Sequence, residues 1–116
     1  MNVGRIVIVD DETYQAELMR DILKMYLSEH EVVSYSEVHT AIRNLYDKGA
    51  DILILDIRMP GMNGFEFLSR LSLDENTKII IISAYNDFEY ARSALRKGVC
   101  EYLLKPLSKK DIDSLV

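Results

Sequence analysis

Five short apolar runs punctuate the chain, and between them the hydrophobic spacing changes to that of helices. The runs are Ile6–Val9, Val32-Val33, Ile52–Leu55, Ile79–Ile82 and Tyr102–Leu104. Several are continuous rather than alternating, as expected for strands covered on both faces of a parallel sheet. Leu18, Met19, Ile22, Leu23 and Tyr26 predict a first amphipathic helix, and Val38, Ala41, Ile42, Leu45 and Tyr46 a second. Asn63 is placed to cap a third, short helix carrying Phe67, Leu68 and Leu71. Phe88, Ala91, Ala94 and Leu95 predict a fourth, with Gly98 positioned to end it. Ser108 can cap a fifth, with Ile112, Leu115 and Val116 on its apolar face. Five strands alternating with five helices predict a three-layer α/β domain. Right-handed crossovers would bring every strand-to-helix loop to one edge of the sheet. Periodicity leaves the strand order open.

That edge matters because polar side chains stand at the ends of the runs. Asp10-Asp11-Glu12 comes directly after the first; the third ends in Asp56, the fourth in Ser83, and the fifth in Lys105-Pro106. Parallel strands would gather carboxylates, a hydroxyl and an ammonium in one small space. Clustered carboxylates repel and raise one another's pKa unless a cation is present. Oxygen-only ligands suit Mg²⁺. A carboxylate with an ordinary pKa of about 3.9 is ionised at neutral pH, so Asp56 needs no general base to act as a nucleophile. Lys105 can offer a positive charge to a phosphoryl oxygen, and Ser83 a hydrogen bond. These are the parts of phosphoryl transfer onto a carboxylate: positioning and charge neutralisation.

Composition narrows the class. The 116 residues fit one domain with a real core, and 48% hydrophobic with 28% charged is a soluble balance. The longest apolar stretch is too short to span a bilayer. Met1–Arg5 runs directly into the first strand-like segment, so no signal peptide is expected. A single cysteine, Cys100, rules out an internal disulfide framework, and the expected compartment is a reducing cytoplasm. A net charge of −5 argues against direct nucleic-acid binding by this domain.

Four segments together resemble the receiver domain of bacterial two-component response regulators. They are Ile8–Glu12, Leu55–Gly64, Ser83-Ala84 and Tyr102–Pro106. Each is weak alone; all four in order, each at a strand end, are specific, and the resemblance covers essentially the whole chain. It implies a flavodoxin-like sandwich with strand order 2-1-3-4-5. It implies Asp56 as the acceptor of a phosphoryl group from a sensor histidine kinase. It implies Mg²⁺ held by Asp11 and Asp56 directly, by Asp10 through water, and by the backbone carbonyl of Arg58. Ser83, Ala84 and Lys105 would contact the phosphoryl oxygens, and the Lys105–Pro106 bond would be cis. A switch would couple Ser83 to Tyr102 and be read on the fourth helix, fifth strand and fifth helix, where phosphorylation could also bring two copies together. Arg58 and Tyr85 would lie over the phosphoryl group and slow its hydrolysis. Ser83–Ala91 is also similar to receivers joined to an arabinose-regulator-type helix-turn-helix domain. The last helix stops after about two turns, so residues 1–116 are expected to be a receiver domain whose natural chain continues into a DNA-binding output domain.

Plainer readings stand beside these. Taken singly, Asp10, Asp11, Asp56 and Ser83 are ordinary turn and cap residues. Met59, Pro60, Gly61 and Gly64 are turn formers first. Tyr102 could be a plain strand residue, and Glu12 could simply begin a helix where acids are favourable. His30 and His39 are expected to be solvated, Tyr26, Tyr46 and Tyr90 to be packing or surface residues, and Cys100 unreactive. The rival enzyme is a haloacid-dehalogenase-like phosphatase with an Asp nucleophile. It would need a second Asp two residues on, where Arg58 stands. A flavodoxin-like electron carrier would need a hydroxyl-rich phosphate loop, and Asp10-Asp11-Glu12 would repel the phosphate. A receiver-like domain that is never phosphorylated is unsupported, because every required side chain is present. The expectation is a signalling domain that catalyses only its own phosphorylation and dephosphorylation.

Overall fold

The Ile6–Val9, Ile52–Leu55 and Ile79–Ile82 runs become central strands of a parallel sheet because they leave no polar face for water and must be covered on both sides. The computed structural model describes residues 4–57, 64–70, 76–83, 96 and 101–115. In chain order the elements are β1 (Arg5–Val9), α1 (Thr13–Tyr26), β2 (Glu31–Tyr35), α2 (Val38–Lys48), β3 (Ile52–Asp56), α3 (Gly64–Ser69), β4 (Lys78–Ser83), β5 (Glu101–Leu104) and α4 (Lys109–Asp113). The strands form one sheet in the order β2-β1-β3-β4-β5. All four neighbouring pairs are parallel.

Alternation along the strands sorts the core into two layers. Val7, Val9, Leu53, Leu55 and Ile81 face α2 and α3, and meet Ala41, Leu45 and Phe67. Ile6, Ile8, Ile54, Ile80 and Ile82 face the other way, toward Leu23 and Leu27 at α1 and Ile112 and Leu115 at α4. The three-layer sandwich and the strand order agree with the sequence expectation. Among the described residues there are four helices; α4 is the helix expected fifth. The helix expected fourth, with Tyr90 and Cys100, lies outside the described residues, as do Asn63, Leu71 and Val116.

Helix ends follow local chemistry. Ser108 and Asp111 form a capping box: the Ser108 hydroxyl accepts from the Asp111 N–H, and the Asp111 carboxylate accepts from the Ser108 N–H. Glu37 caps α2 in place of the usual Ser or Asp. Its carboxylate accepts from the Thr40 hydroxyl and from the N–H groups of Thr40 and His39, and those bonds hold its pKa below the usual range.

Two expectations about faces need correction. The α1 stripe is displaced: α1 buries Ala16 and Leu23, while Leu18, Ile22 and Tyr26 are exposed. The sheet lies under positions 16, 19 and 23, so the predicted set straddled the boundary of the buried arc. In α2, Tyr46 is 85% exposed rather than part of the apolar face. His30 is not simply solvated either. Its Nδ1 accepts from the Gly4 N–H at 3.0 Å, and its Nε2 is buried without a hydrogen-bond partner. His39 is exposed.

Phe67 is fully buried and closes the α3 side of the core. Phe67→Ala should lower unfolding free energy by about 3–5 kcal/mol. In urea the midpoint should fall with an unchanged slope; a loss below about 1 kcal/mol would mean that the cavity refills by repacking.

Candidate functional site

Parallel register brings the strand ends level. Val9 pairs with Leu55, so Asp10, the next residue, stands beside Asp56. Asp56 pairs with Ile82, and Ser83 with Leu104. The Lys105 N–H donates to the Ser83 carbonyl at 2.8 Å, which extends the β4–β5 ladder by one step. The Lys105 ammonium then reaches across the sheet edge.

All three ammonium donors can be assigned. Lys105 Nζ lies 2.8 Å from Asp10 Oδ2, 2.8 Å from Asp56 Oδ2 and 2.8 Å from Gln15 Oε1. Asp10 and Asp56 are buried, as is Ser83, whereas Asp11 is half-buried. The other oxygen of Asp10 accepts from the Glu12 N–H at 3.0 Å. One carboxylate oxygen from each of Asp10, Asp11 and Asp56 falls within 4.8 Å of the others. The Lys105–Pro106 peptide bond is cis.

The electrostatics follow from that crowding. Burial raises the Asp11 pKa above its ordinary 3.8, and the charges of Asp10, Asp56 and Glu12 raise it further, against a smaller lowering by its own backbone N–H. For Lys105, burial pulls the ammonium pKa down. Hydrogen bonds to Asp10 and Asp56 and their negative charges outweigh that, and the net shift is upward. Lys105 is therefore held charged. Three carboxylates and one ammonium leave two negative charges, which a divalent cation would balance. The donors are all oxygen, which suits Mg²⁺.

Sequence reasoning named Asp10, Asp11, Asp56 and Lys105, and these come together. Ser83 sits at the same edge. Tyr102 is half-buried against the α2–α3 layer, opposite Ile81, two residues before Ser83. Glu12 occupies the N-cap position of α1, makes no side-chain cap, and adds its charge near Asp11. Arg58, Ala84 and Tyr85 lie outside the described residues. Gln15 was missed. The available signal was its spacing: Gln15, Leu18, Met19 and Ile22 share one face of α1, and Gln15 is the polar member. Beside it, α1 and the segment after β5 enclose a largely apolar groove of about 500 Å³, lined by Tyr14, Leu18, Ile22, Pro106 and Leu107.

Comparison with known proteins decides the family. The profile of the response regulator receiver domain matches residues 6–116. The chain belongs to that family. This receiver domain is 31% identical over 95% of its length to YesN, a transcriptional regulatory protein of Bacillus subtilis, covering 30% of that protein. It is 32% identical over 98% of its length to the regulatory protein AtoC of Escherichia coli, covering 24% of it. The chain thus spans roughly a third or less of these relatives. A solved receiver protein of Pseudomonas putida superposes with a TM-score of 0.82 at 25% identity, over 99% of this chain and 96% of that one. A CheY-like receiver of Methanospirillum hungatei gives 0.83 at 25%, over 97% and 90%. It is therefore a receiver domain of a two-component response regulator, a signalling domain with the acidic pocket at which such domains bind Mg²⁺. The phosphatase alternative has no support. Among the described residues no helix is long and apolar enough to cross a membrane.

The Asp11 shift has a sign that can be tested. Its pKa is raised above 3.8 in the fold, so the folded chain binds that proton more tightly than the unfolded chain. The resulting destabilisation is absent below 3.8 and complete once pH exceeds the raised value. Without metal at neutral pH, Asp11→Asn should raise Tm. The gain should fade as pH falls through that window. A lower Tm at neutral pH would contradict the cluster's mutual repulsion.

Proposed function

We propose that Asp56 accepts a phosphoryl group from a sensor histidine kinase in a Mg²⁺-dependent reaction, and that the fold relays this event to an output domain. The observation that carries the reading is the Lys105 ammonium at 2.8 Å from both Asp10 and Asp56, inside a buried carboxylate cluster. An Asp56 carboxylate oxygen attacks phosphorus, and the bond from phosphorus to the donor's imidazole nitrogen breaks, with the electron pair leaving on the imidazole. Asp11 and Asp56, with the Arg58 carbonyl and with Asp10 through water, would hold Mg²⁺. When bound, the ion would neutralise the incoming phosphoryl oxygens. Lys105 offers a donor to one of those oxygens, and Ser83 and the Ala84 N–H offer others. Asp10 keeps Lys105 aimed, because its second oxygen is fixed by the Glu12 N–H.

In this reading Ser83 moves toward the phosphoryl group and Tyr102 turns into the vacated space. That is a two-state element biased by a local charge. The proposed output domain is a DNA-binding transcriptional regulator in the same chain. A phosphorylation-dependent homodimer through the expected fourth helix, β5 and α4 belongs to the same proposal.

Incubation with acetyl phosphate and Mg²⁺, followed by intact mass, should give one phosphoryl adduct on the wild type and none on Asp56→Asn. Equal labelling of both would move the acceptor elsewhere. With Arg58 and Tyr85 shielding the acyl phosphate from water, the adduct should persist for minutes or longer in Mg²⁺. Decay within seconds would refute the shielding role.

A further inference from the structure

The site is built from residues at strand ends, and one helix side chain also enters it. Gln15 lies in the first turn of α1, and its Oε1 accepts the third Lys105 ammonium hydrogen at 2.8 Å. The partner is separated by 90 residues in sequence. Gln15 reaches this point because α1 covers the sheet face that also carries Ile6, Ile8 and Ile54. By alternation, Asp10 and Asp56 lie on that same face. We infer that Gln15 is a positioning residue for phosphoryl transfer: it fixes the Lys105 ammonium beside Asp56 from the first turn of α1.

The physical reason lies in the lysine itself. A lysine ammonium sits on a flexible four-carbon stem and carries three donors, so two carboxylates alone leave the third donor to water. A third acceptor on a separate element defines the ammonium's orientation. Gln15 is also the neutral member of the three acceptors, and bonds to neutral acceptors are weaker than bonds to carboxylates. It is therefore the contact that Lys105 gives up most easily when a phosphoryl oxygen arrives. Gln15 orients the ammonium before transfer and releases it afterwards, without adding negative charge to a site that must admit a phosphoryl group.

This inference rests on the proposed role of Lys105 at Asp56, so its test separates the two. Gln15→Met keeps the shape and the apolar groove wall but removes the strong acceptor. In the metal-free, unphosphorylated chain, the nitrogen-15 signal of the Lys105 ammonium should show slow hydrogen exchange, and exchange should be markedly faster in Gln15→Met. With acetyl phosphate and Mg²⁺, Gln15→Met should be phosphorylated about 3- to 10-fold more slowly than wild type. In a Lys105→Met background the same substitution should change the rate by less than about twofold, since Gln15 then has nothing to position. Unchanged ammonium exchange, or a Gln15→Met rate equal to wild type, would overturn the inference. So would an equal slowing in the Lys105→Met background, which would make Gln15 a packing residue. Failure of the wild type to take up phosphoryl would instead overturn the underlying reading while leaving the exchange result to judge the contact itself.

Discussion

Like charges held together by a parallel sheet are the constraint on which the site depends. Oxygens of Asp10, Asp11 and Asp56 fall within 4.8 Å of one another. Two unit charges at that distance repel by on the order of 3 kcal/mol at an effective dielectric of about 20. Nothing in the cluster's own chemistry would assemble it. The sheet does so, because Val9 and Leu55 are paired neighbours and their successors in sequence must stand side by side. Among the described residues the counter-charge is Lys105, and it is delivered through the β4–β5 ladder.

The sheet can impose this because its strands are anchored below the edge. Ile6 to Val9, Leu53 to Leu55 and Ile80 to Ile82 are all buried, with layers of helix on both faces. Sliding one strand by a single residue would turn its entire hydrophobic set toward the wrong layer. Register is therefore fixed by the core, and the carboxylates inherit their positions from it. The mutual repulsion that raises the Asp11 pKa is a modest local cost against this larger burial, and it is what makes the pocket receptive to a divalent cation.

The sequence made much of this legible for identifiable reasons. Asp10, Asp56, Ser83 and Lys105 each directly follow an apolar run, so locating the strands also located them. Strand order was different: periodicity carries no pairing information, and the order came only from the resemblance to a known family. Helix faces were read less accurately. In α1 the apolar residues cover more of the circumference than the sheet buries, so spacing could not say that Leu23 is inside while Leu18 and Ile22 are exposed. The His30 contact with the Gly4 N–H joins residues 26 apart, and no local pattern announces it. For Gln15 the spacing shows only that it shares a face of α1 with Leu18, Met19 and Ile22; its contact with Lys105, 90 residues away, depends on how α1 lies across β1.

The alternation of strand residues also divides the proposed function between two faces. Asp10 and Asp56 have the parity of Ile8 and Ile54, which pack toward α1 and α4. Ser83 has the parity of Ile81, and Tyr102 packs with Ile81 toward α2 and α3. The charge chemistry and the proposed switch pair thus belong to opposite faces and can meet only at the sheet edge, where the strands end and alternation no longer holds side chains apart. A signal from Asp56 to Tyr102 must cross there, through the terminal residue of β4. That makes the position of Ser83 at the strand end, rather than within it, a requirement of the proposed switch. The same geometry leaves the α1 face to hold the phosphoryl site in order, a task to which Gln15 is well placed to contribute.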